Sequence, residues 1–225
     1  PAARQQHQAA HVACDGEFGE GPDGLGRARE GQVGEVGDVD RVDTLERLAA
    51  LPARRIVAWD GCTIEETEFL FEDEPELRPP FEMERQAEGD LGQRLLHAYR
   101  RISETSPVLF LGTDTPTVPL AYLRRAMLAL DRTPVVLGPT EDGGYYLLGL
   151  SAPRDVFRAI DWGTDRVLHQ TLARLTQEEW LLLPYWHDID YAEDLLQLRG
   201  SPGPRMAAIL GSLRDGGANR TTGDC

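Results

Sequence analysis

Short apolar runs alternate with amphipathic stretches from residue 42 onward, and each change of period marks a new element. Val42, Leu45, Leu48 and Ala49 recur at helical spacing, followed by Pro52 and the apolar strand Arg55-Ile56-Val57-Ala58-Trp59. Leu91, Leu95, Tyr99 and Ile102 share one face of a helix predicted over 90–102, and a buried strand follows at 107–112. Thr117 and Pro119 open a helix whose inward stripe is Leu120, Leu123, Met127 and Leu130. Strands over 134–138 and 145–150 flank the turn Thr140-Glu141-Asp142-Gly143-Gly144. Val167, Leu168, Thr171, Leu172 and Leu175 predict a further helix, 180–183 a strand, 191–198 a last helix of the domain and 206–213 a short one in the tail. The acidic stretch 65–76 and Pro79-Pro80 read as a loop or an edge excursion. Strands alternating with helices predict one α/β domain of three layers, α/β/α, with a mostly parallel sheet.

The flanks depart from this pattern. Residues 15–40 hold eight glycines and eight acidic residues with few apolar ones between them, a composition that cannot offset the entropy of ordering the chain. The expected organisation is therefore a disordered segment over 1–41, a folded domain over 42–200 and a Gly-, Arg- and Ser-rich tail over 201–225. His7, His11 and Cys14 lack a fourth ligand at suitable spacing, so the N-terminal stretch reads as a polar tail.

Composition narrows the chemistry. The formal charge of −15 over 225 residues disfavours nucleic acid and anionic membrane surfaces as partners. No apolar run approaches the roughly 18 residues of a membrane span, and no secretory signal pattern opens the chain, which points to the cytoplasm. Residue 1 is not Met, the mark of a processed form or a fragment. Cys14, Cys62 and Cys225 are scattered and odd in number, as free thiols are. All 23 basic residues are Arg, so a catalytic lysine, a Schiff base and a P-loop are excluded and any anion site must use guanidinium forks or backbone N–H groups.

Four short constellations carry chemistry. Pro107 to Leu111 is an apolar strand that ends in Gly112-Thr113-Asp114-Thr115-Pro116, delivering a carboxylate to its C-terminal tip. In an open α/β sheet that edge is where ligands bind, and a lone carboxylate there suits a divalent metal carrying phosphates; Asp114 as a cap for the next helix is the competing role. Asp188 and Asp190, at i and i+2 in extended chain, point to one side and would close the same cation site, although Asp190-Tyr191-Ala192-Glu193 also has the form of a capping box. In Gln86 to Arg94, Gly89 and Gly92 permit close backbone approach to a ligand beside Asp90, and Arg94 offers a phosphate fork. The turn 140–144 sets acids on one side and Tyr145 on the other, which suits a polyhydroxylated ligand or an ordinary strand-to-strand turn.

Five blocks in this order, GDLGQRL at 89–95, GTDTPTVP at 112–119, VVLGPTEDGGYYLLGL at 135–150, IDWGTDRVLHQTL at 160–172 and WHDIDYAEDL at 186–195, resemble the bacterial glycosyltransferase A-fold family described as a domain of unknown function or as arsenosugar-biosynthesis-type glycosyltransferases. The resemblance covers about residues 42–200. It implies a nucleoside-diphosphate-sugar donor, a small-molecule acceptor and Mg²⁺ or Mn²⁺ held by Asp114, Asp188 and Asp190. It places Gly89, Asp90, Gly92, Arg94, Thr113, Thr115, Gly143, Gly144, Tyr145, Trp162 and Arg166 around the substrates, with Asp142 or Glu141 as base on an acceptor hydroxyl. The block at 162–166 keeps the family's Trp and Arg and departs at Gly163. The fold also serves nucleotidyltransferases of the phospholactate guanylyltransferase kind, and an inactive remnant or binding module is a third reading.

The departure from the family lies at the start. Members open with a strand and a Gly-Arg-Val-Lys-Thr-Arg-Leu type loop for the nucleotide, and residues 1–41 contain no match to it; family-like sequence begins at Asp43-Thr44-Leu45. The expectation is a frameshifted or misassigned start, and a first strand that is atypical or missing. Reading the coding DNA in all frames upstream of the Asp43 codon tests this: the missing loop motif in another frame supports it, and absence from every frame refutes it.

Overall fold

A computed structural model describes residues 9–14, 43–59, 81–102, 106–189, 198, 200–203, 206–208 and 210–211. Seven strands, β1 (Ala9–Cys14), β2 (Arg54–Trp59), β3 (Phe81–Arg85), β4 (Val108–Gly112), β5 (Val135–Pro139), β6 (Tyr145–Leu150) and β7 (Trp180–Leu182), form one open sheet in the order β3-β2-β1-β4-β6-β5-β7. β4, β5 and β6 are nearly continuous apolar runs buried along almost their whole length, the pattern of strands covered on both faces. β6 runs antiparallel to both its neighbours, β4 and β5, while the other pairings are parallel. The reversal follows from chain length: residues 140–144 are too few for the crossover that a parallel pairing needs, and suffice for a hairpin. The carboxyl ends of the other six strands consequently lie along one edge of the sheet.

Residues 206–208 and 210–211 are helical, and four helices pack on the sheet: α1 (43–49), α2 (Leu91–Ile102), α3 (Leu120–Ala129) and α4 (Val167–Leu172). They divide between the two faces as the strand pleat dictates. Leu109 and Leu111 of β4 point into a core with Leu45 and Leu48 of α1 and Leu123, Ala126 and Met127 of α3. Val108 and Phe110 point the other way, onto Leu95 and Tyr99 of α2, Phe157 and Leu168 of α4. The result is the expected three-layer α/β/α architecture around a mixed, mostly parallel sheet. No helix among the described residues is long and apolar enough to cross a membrane.

Two strands correct the expectations. The first strand is present: β1, Ala9–Cys14, lies at the centre of the sheet, paired in parallel with β2 from Ala9 opposite Arg54 to Cys14 opposite Trp59, and with β4 on its other side. A strand there needs only six residues free of Gly and Pro, because both rows of its backbone groups find partners. β3 lies where the sequence pattern predicts no element, directly after the stretch that reads as a loop or an edge excursion. It is an edge strand, where charge is tolerated, and Glu82 anchors it through a two-pronged contact from the Arg54 guanidinium at 2.8 and 2.6 Å. The helix expected over 191–198 lies outside the described residues, apart from Leu198, and so does the rest of 1–41. The helix predicted through Leu175 ends at Leu172.

Leu148 lies in the middle of β6 with its side chain wholly enclosed on the α2 face. Leu148→Ala should lower stability by about 2–5 kcal/mol, through lost burial and the cavity left behind, as a shift of the urea unfolding midpoint.

Candidate active site

The candidate residues lie on loops that leave the shared edge of the sheet. After β4 the chain turns through Thr113-Asp114-Thr115, and Asp114 is exposed there. The Thr115 hydroxyl, fully buried, donates to the Gly112 carbonyl at 3.4 Å, and the Val118 N–H donates to the Thr115 carbonyl at 3.1 Å. A Cβ on Gly112 would sit 2.5 Å from Asp114 Oδ1, so the carboxylate folds over a backbone that only glycine leaves open. Asp114 is not the cap of α3: that position is Pro119, without a side-chain hydrogen bond. Thr113 and Thr115 were expected around the substrate; both are buried, and they shape the loop beneath Asp114.

The segment after β7 runs back across the strand ends. Leu183 N–H donates to the Leu137 carbonyl at 2.8 Å, Trp186 N–H to Pro139 at 3.0 Å and Ile189 N–H to Asp114 at 2.9 Å. The last of these sets Asp188, half-buried, on backbone adjoining Asp114. Trp186 pins the crossing: its indole N–H donates to Thr117 Oγ1 at 3.3 Å, its ring meets Tyr122 edge-on at 5.7 Å, and the His187 ring stacks on it at 5.3 Å. Asp190, its capping box and the rest of that motif lie outside the described residues. Among the described residues no three His, Cys, Asp or Glu side chains converge.

The β5–β6 turn is held by Asp142, whose Oδ1 accepts hydrogen bonds from the Gly144 N–H at 3.0 Å and from the Thr140 hydroxyl. Asp142 and Glu141 are both exposed. Gly143 has φ +95°, and a Cβ there would lie 2.2 Å from the Asp165 carbonyl oxygen; its own carbonyl accepts the Leu168 N–H at 2.9 Å. The 164–166 loop is thereby seated against the turn, with Arg166 exposed and paired to Asp161 at 3.1 Å. Tyr145 faces inward instead of lining this edge. Burial pushes its hydroxyl well above the ordinary phenol range, the Thr171 hydroxyl acting in the opposite sense, and its ring meets Trp162 edge-on at 6.3 Å.

The 86–94 segment is assigned mainly to building α2. Asp90 Oδ1 accepts the Gln93 N–H at 2.8 Å and Gln93 Oε1 accepts the Asp90 N–H at 3.0 Å, a reciprocal cap at the helix start. Gly89, at φ +118°, leaves room for the Gln93 side chain, and a Cβ on Gly92 would fall 2.5 Å from Trp162 Nε1. The close approach that both glycines permit is therefore to neighbouring protein groups. Arg94 alone of the predicted set here faces a groove, shared with Arg85, Gln86, His97 and Arg101 at the carboxyl ends of β2 and β3. Arg85 and Arg101 were not anticipated, because β3 was not recognised and Arg101 reads as an ordinary surface residue of a helix. Arg101 forms an ion pair with Glu84 across the groove wall.

The Gly143 geometry yields a direct test. Gly143→Ala forces an unfavourable backbone angle and a collision with the Asp165 backbone, and should cost about 1–3 kcal/mol, measurable as a lowered thermal midpoint. Gly163→Ala, also at positive φ but facing open space, should cost less.

The family model for an uncharacterized protein conserved in bacteria (DUF2064) matches residues 44–164. No curated protein sequence matches the chain. Among solved structures, a candidate nucleotide-diphospho-sugar transferase from Desulfovibrio desulfuricans G20 is similar at 26% identity, with a TM-score of 0.75 over 95% of this chain and 96% of that one. A 4-diphosphocytidyl-2C-methyl-D-erythritol synthase from Anaerococcus prevotii DSM 20548 shares the fold at 11% identity, with a TM-score of 0.57 over 93% and 96% of the two chains. The mannosyltransferase PcManGT from Pyrobaculum calidifontis, in complex with GDP-Man and Mn²⁺, shares it at 11% identity, with a TM-score of 0.51 over 93% of this chain and 69% of that one. The matched family segment spans more than half of the 225 residues, and the chain belongs to the DUF2064 family of bacterial proteins.

Proposed function

We propose that this protein is a metal-dependent glycosyltransferase that moves a sugar from a nucleoside-diphosphate-sugar donor to a small-molecule acceptor. The observation that carries the reading is the bond from Ile189 N–H to the Asp114 carbonyl, which brings two carboxylate-bearing loops from separated strands together at the sheet edge. Asp114 and Asp188 are hard oxygen donors, and one or two carboxylates plus substrate phosphates is the usual environment of Mg²⁺, with carboxylates equally suited to Mn²⁺. Asp190 is proposed as the third donor. A bound cation would neutralise the diphosphate that leaves as the sugar is transferred.

The protein's own groups supply the rest. In a chain without lysine, Arg94, with Arg85 and Arg101 in the same groove, offers guanidinium forks to the nucleotide side of the donor. Arg166 stands beside the β5–β6 turn. Asp142 holds that turn through Oδ1, and Glu141, exposed beside it, is the proposed base that takes the acceptor hydroxyl's proton. Gly144 keeps the turn open above Thr140.

Incubating the chain with nucleotide sugars and Mn²⁺ should release nucleoside diphosphate, and chelating the metal should stop it. Asp114→Asn should lower that rate by about 100-fold or more, the scale of losing one preorganised electrostatic contact to developing charge. Release of pyrophosphate from a nucleoside triphosphate instead would assign nucleotidyl transfer, and indifference to Asp114→Asn would leave Asp114 a structural residue.

A further inference from the structure

Asp43 and Thr44 open α1, each only 1% exposed, and neither belongs to the proposed substrate or metal groups. Each reaches a different loop. The Thr44 hydroxyl donates to the Thr113 carbonyl at 3.2 Å, one residue before Asp114. Asp43 Oδ2 accepts the Met206 N–H at 3.0 Å, and a Cβ on Gly203 would lie 2.3 Å from Asp43 Cγ, so Gly203 and Met206 both lie directly on the carboxylate. Arg47, one turn further along α1, donates to the Ser201 carbonyl.

The circuit closes at the cation site. Met206, 0% exposed, shares a buried cluster with Ile189, whose N–H is bonded to the Asp114 carbonyl. Contacts thus run from Asp114 through Thr113, Thr44, Asp43, Met206 and Ile189 back to Asp114, with Asp188 beside Ile189. Gly200, at φ +84°, packs against the Thr117 carbonyl and the Trp186 ring, which fastens the same strap to the same crossing. A buried carboxylate is unfavourable unless hydrogen-bonded, so Asp43 favours the docked position of the strap.

We propose that Asp43 and Thr44 are positioning residues: the start of α1 and the strap residues 200–203 and 206 form a clamp that sets the spacing of Asp114 and Asp188 for the cation. The proposal rests on the metal reading above. It extends that reading to residues that touch neither the metal nor the substrate, through the outer shell that orients metal ligands.

The test is a titration of the full chain with Mn²⁺ alone, free Mn²⁺ being read by electron paramagnetic resonance and folding by thermal melts. The unaltered chain should take up Mn²⁺ and Asp114→Asn should lose it. Thr44→Val and Asp43→Asn should weaken uptake by about tenfold or more, as outer-shell substitutions do, and Thr44→Ser should restore it. Folded Thr44→Val and Asp43→Asn chains that bind as tightly as the unaltered chain, while Asp114→Asn does not, would overturn the clamp. Equal uptake by Asp114→Asn and the unaltered chain would overturn the metal reading beneath it. Should a clamp variant fail to fold, hydrogen exchange in the unaltered chain decides: Mn²⁺ should slow exchange at the Met206 amide, and an unchanged rate there would contradict the coupling.

Discussion

The hydrogen bond from Ile189 N–H to the Asp114 carbonyl is the contact on which the candidate site depends. β4 and β7 are not neighbours; β6 and β5 lie between them. The loop after β7 can meet the loop after β4 only by crossing two strand ends, and it does so in steps, bonding first to Leu137, then to Pro139 and finally to Asp114. The crossing is possible because β6 is reversed, so that β5 enters the edge and returns through a five-residue turn on which Trp186 pairs with Thr140. Backbone bonding therefore decides where the two carboxylates stand, and the side chains around it, Thr117, Tyr122 and Trp186, hold the crossing in place.

The charge distribution gives this edge its chemistry. An acidic chain repels anionic ligands at long range, so a diphosphate is held only where local charge reverses the sign. Two means are proposed here: a cation held by Asp114 and Asp188, and the arginines Arg85, Arg94 and Arg101 that line one groove. The absence of lysine makes the second means a matter of directional forks, which require the groove to be shaped in advance. The α2 cap between Asp90 and Gln93 contributes that shape by fixing where the helix bearing Arg94 begins.

Much of the fold was legible in the sequence where burial on both faces leaves a strong mark. β4, β5 and β6 announce themselves as apolar runs, and the helical stripes of α2 and α3 match their buried faces. β3 was hidden because an edge strand with one exposed row carries Glu82, Glu84 and Arg85, residues typical of a loop. β1 was hidden because its segment lacks the family's opening motif, whereas strand formation between β2 and β4 needs only a short uninterrupted segment. The positions of Asp114 after β4 and of Asp188 on the segment after β7 were readable from the strand ends. The work of Gly89, Gly92 and Gly143 was not, because the groups they approach, Gln93, Trp162 and Asp165, are specified by packing, and in the last two cases are distant in sequence. The inward setting of the Tyr145 and Thr115 hydroxyls was hidden for a related reason: alternation shows which face a residue takes, and only the packed structure shows where its hydroxyl ends.

The most direct test of this account is a thermal-shift titration of the full chain with nucleotide sugars, each with and without Mn²⁺. A ligand that binds only the folded state raises its stability, the more so the further its concentration exceeds its dissociation constant. The expected result is an upward shift with a nucleotide sugar that requires the cation and exceeds the shift given by Mn²⁺ alone at the same concentration. A shift of equal size without metal, or none with any nucleotide sugar, would contradict a donor site built around Asp114 and Asp188.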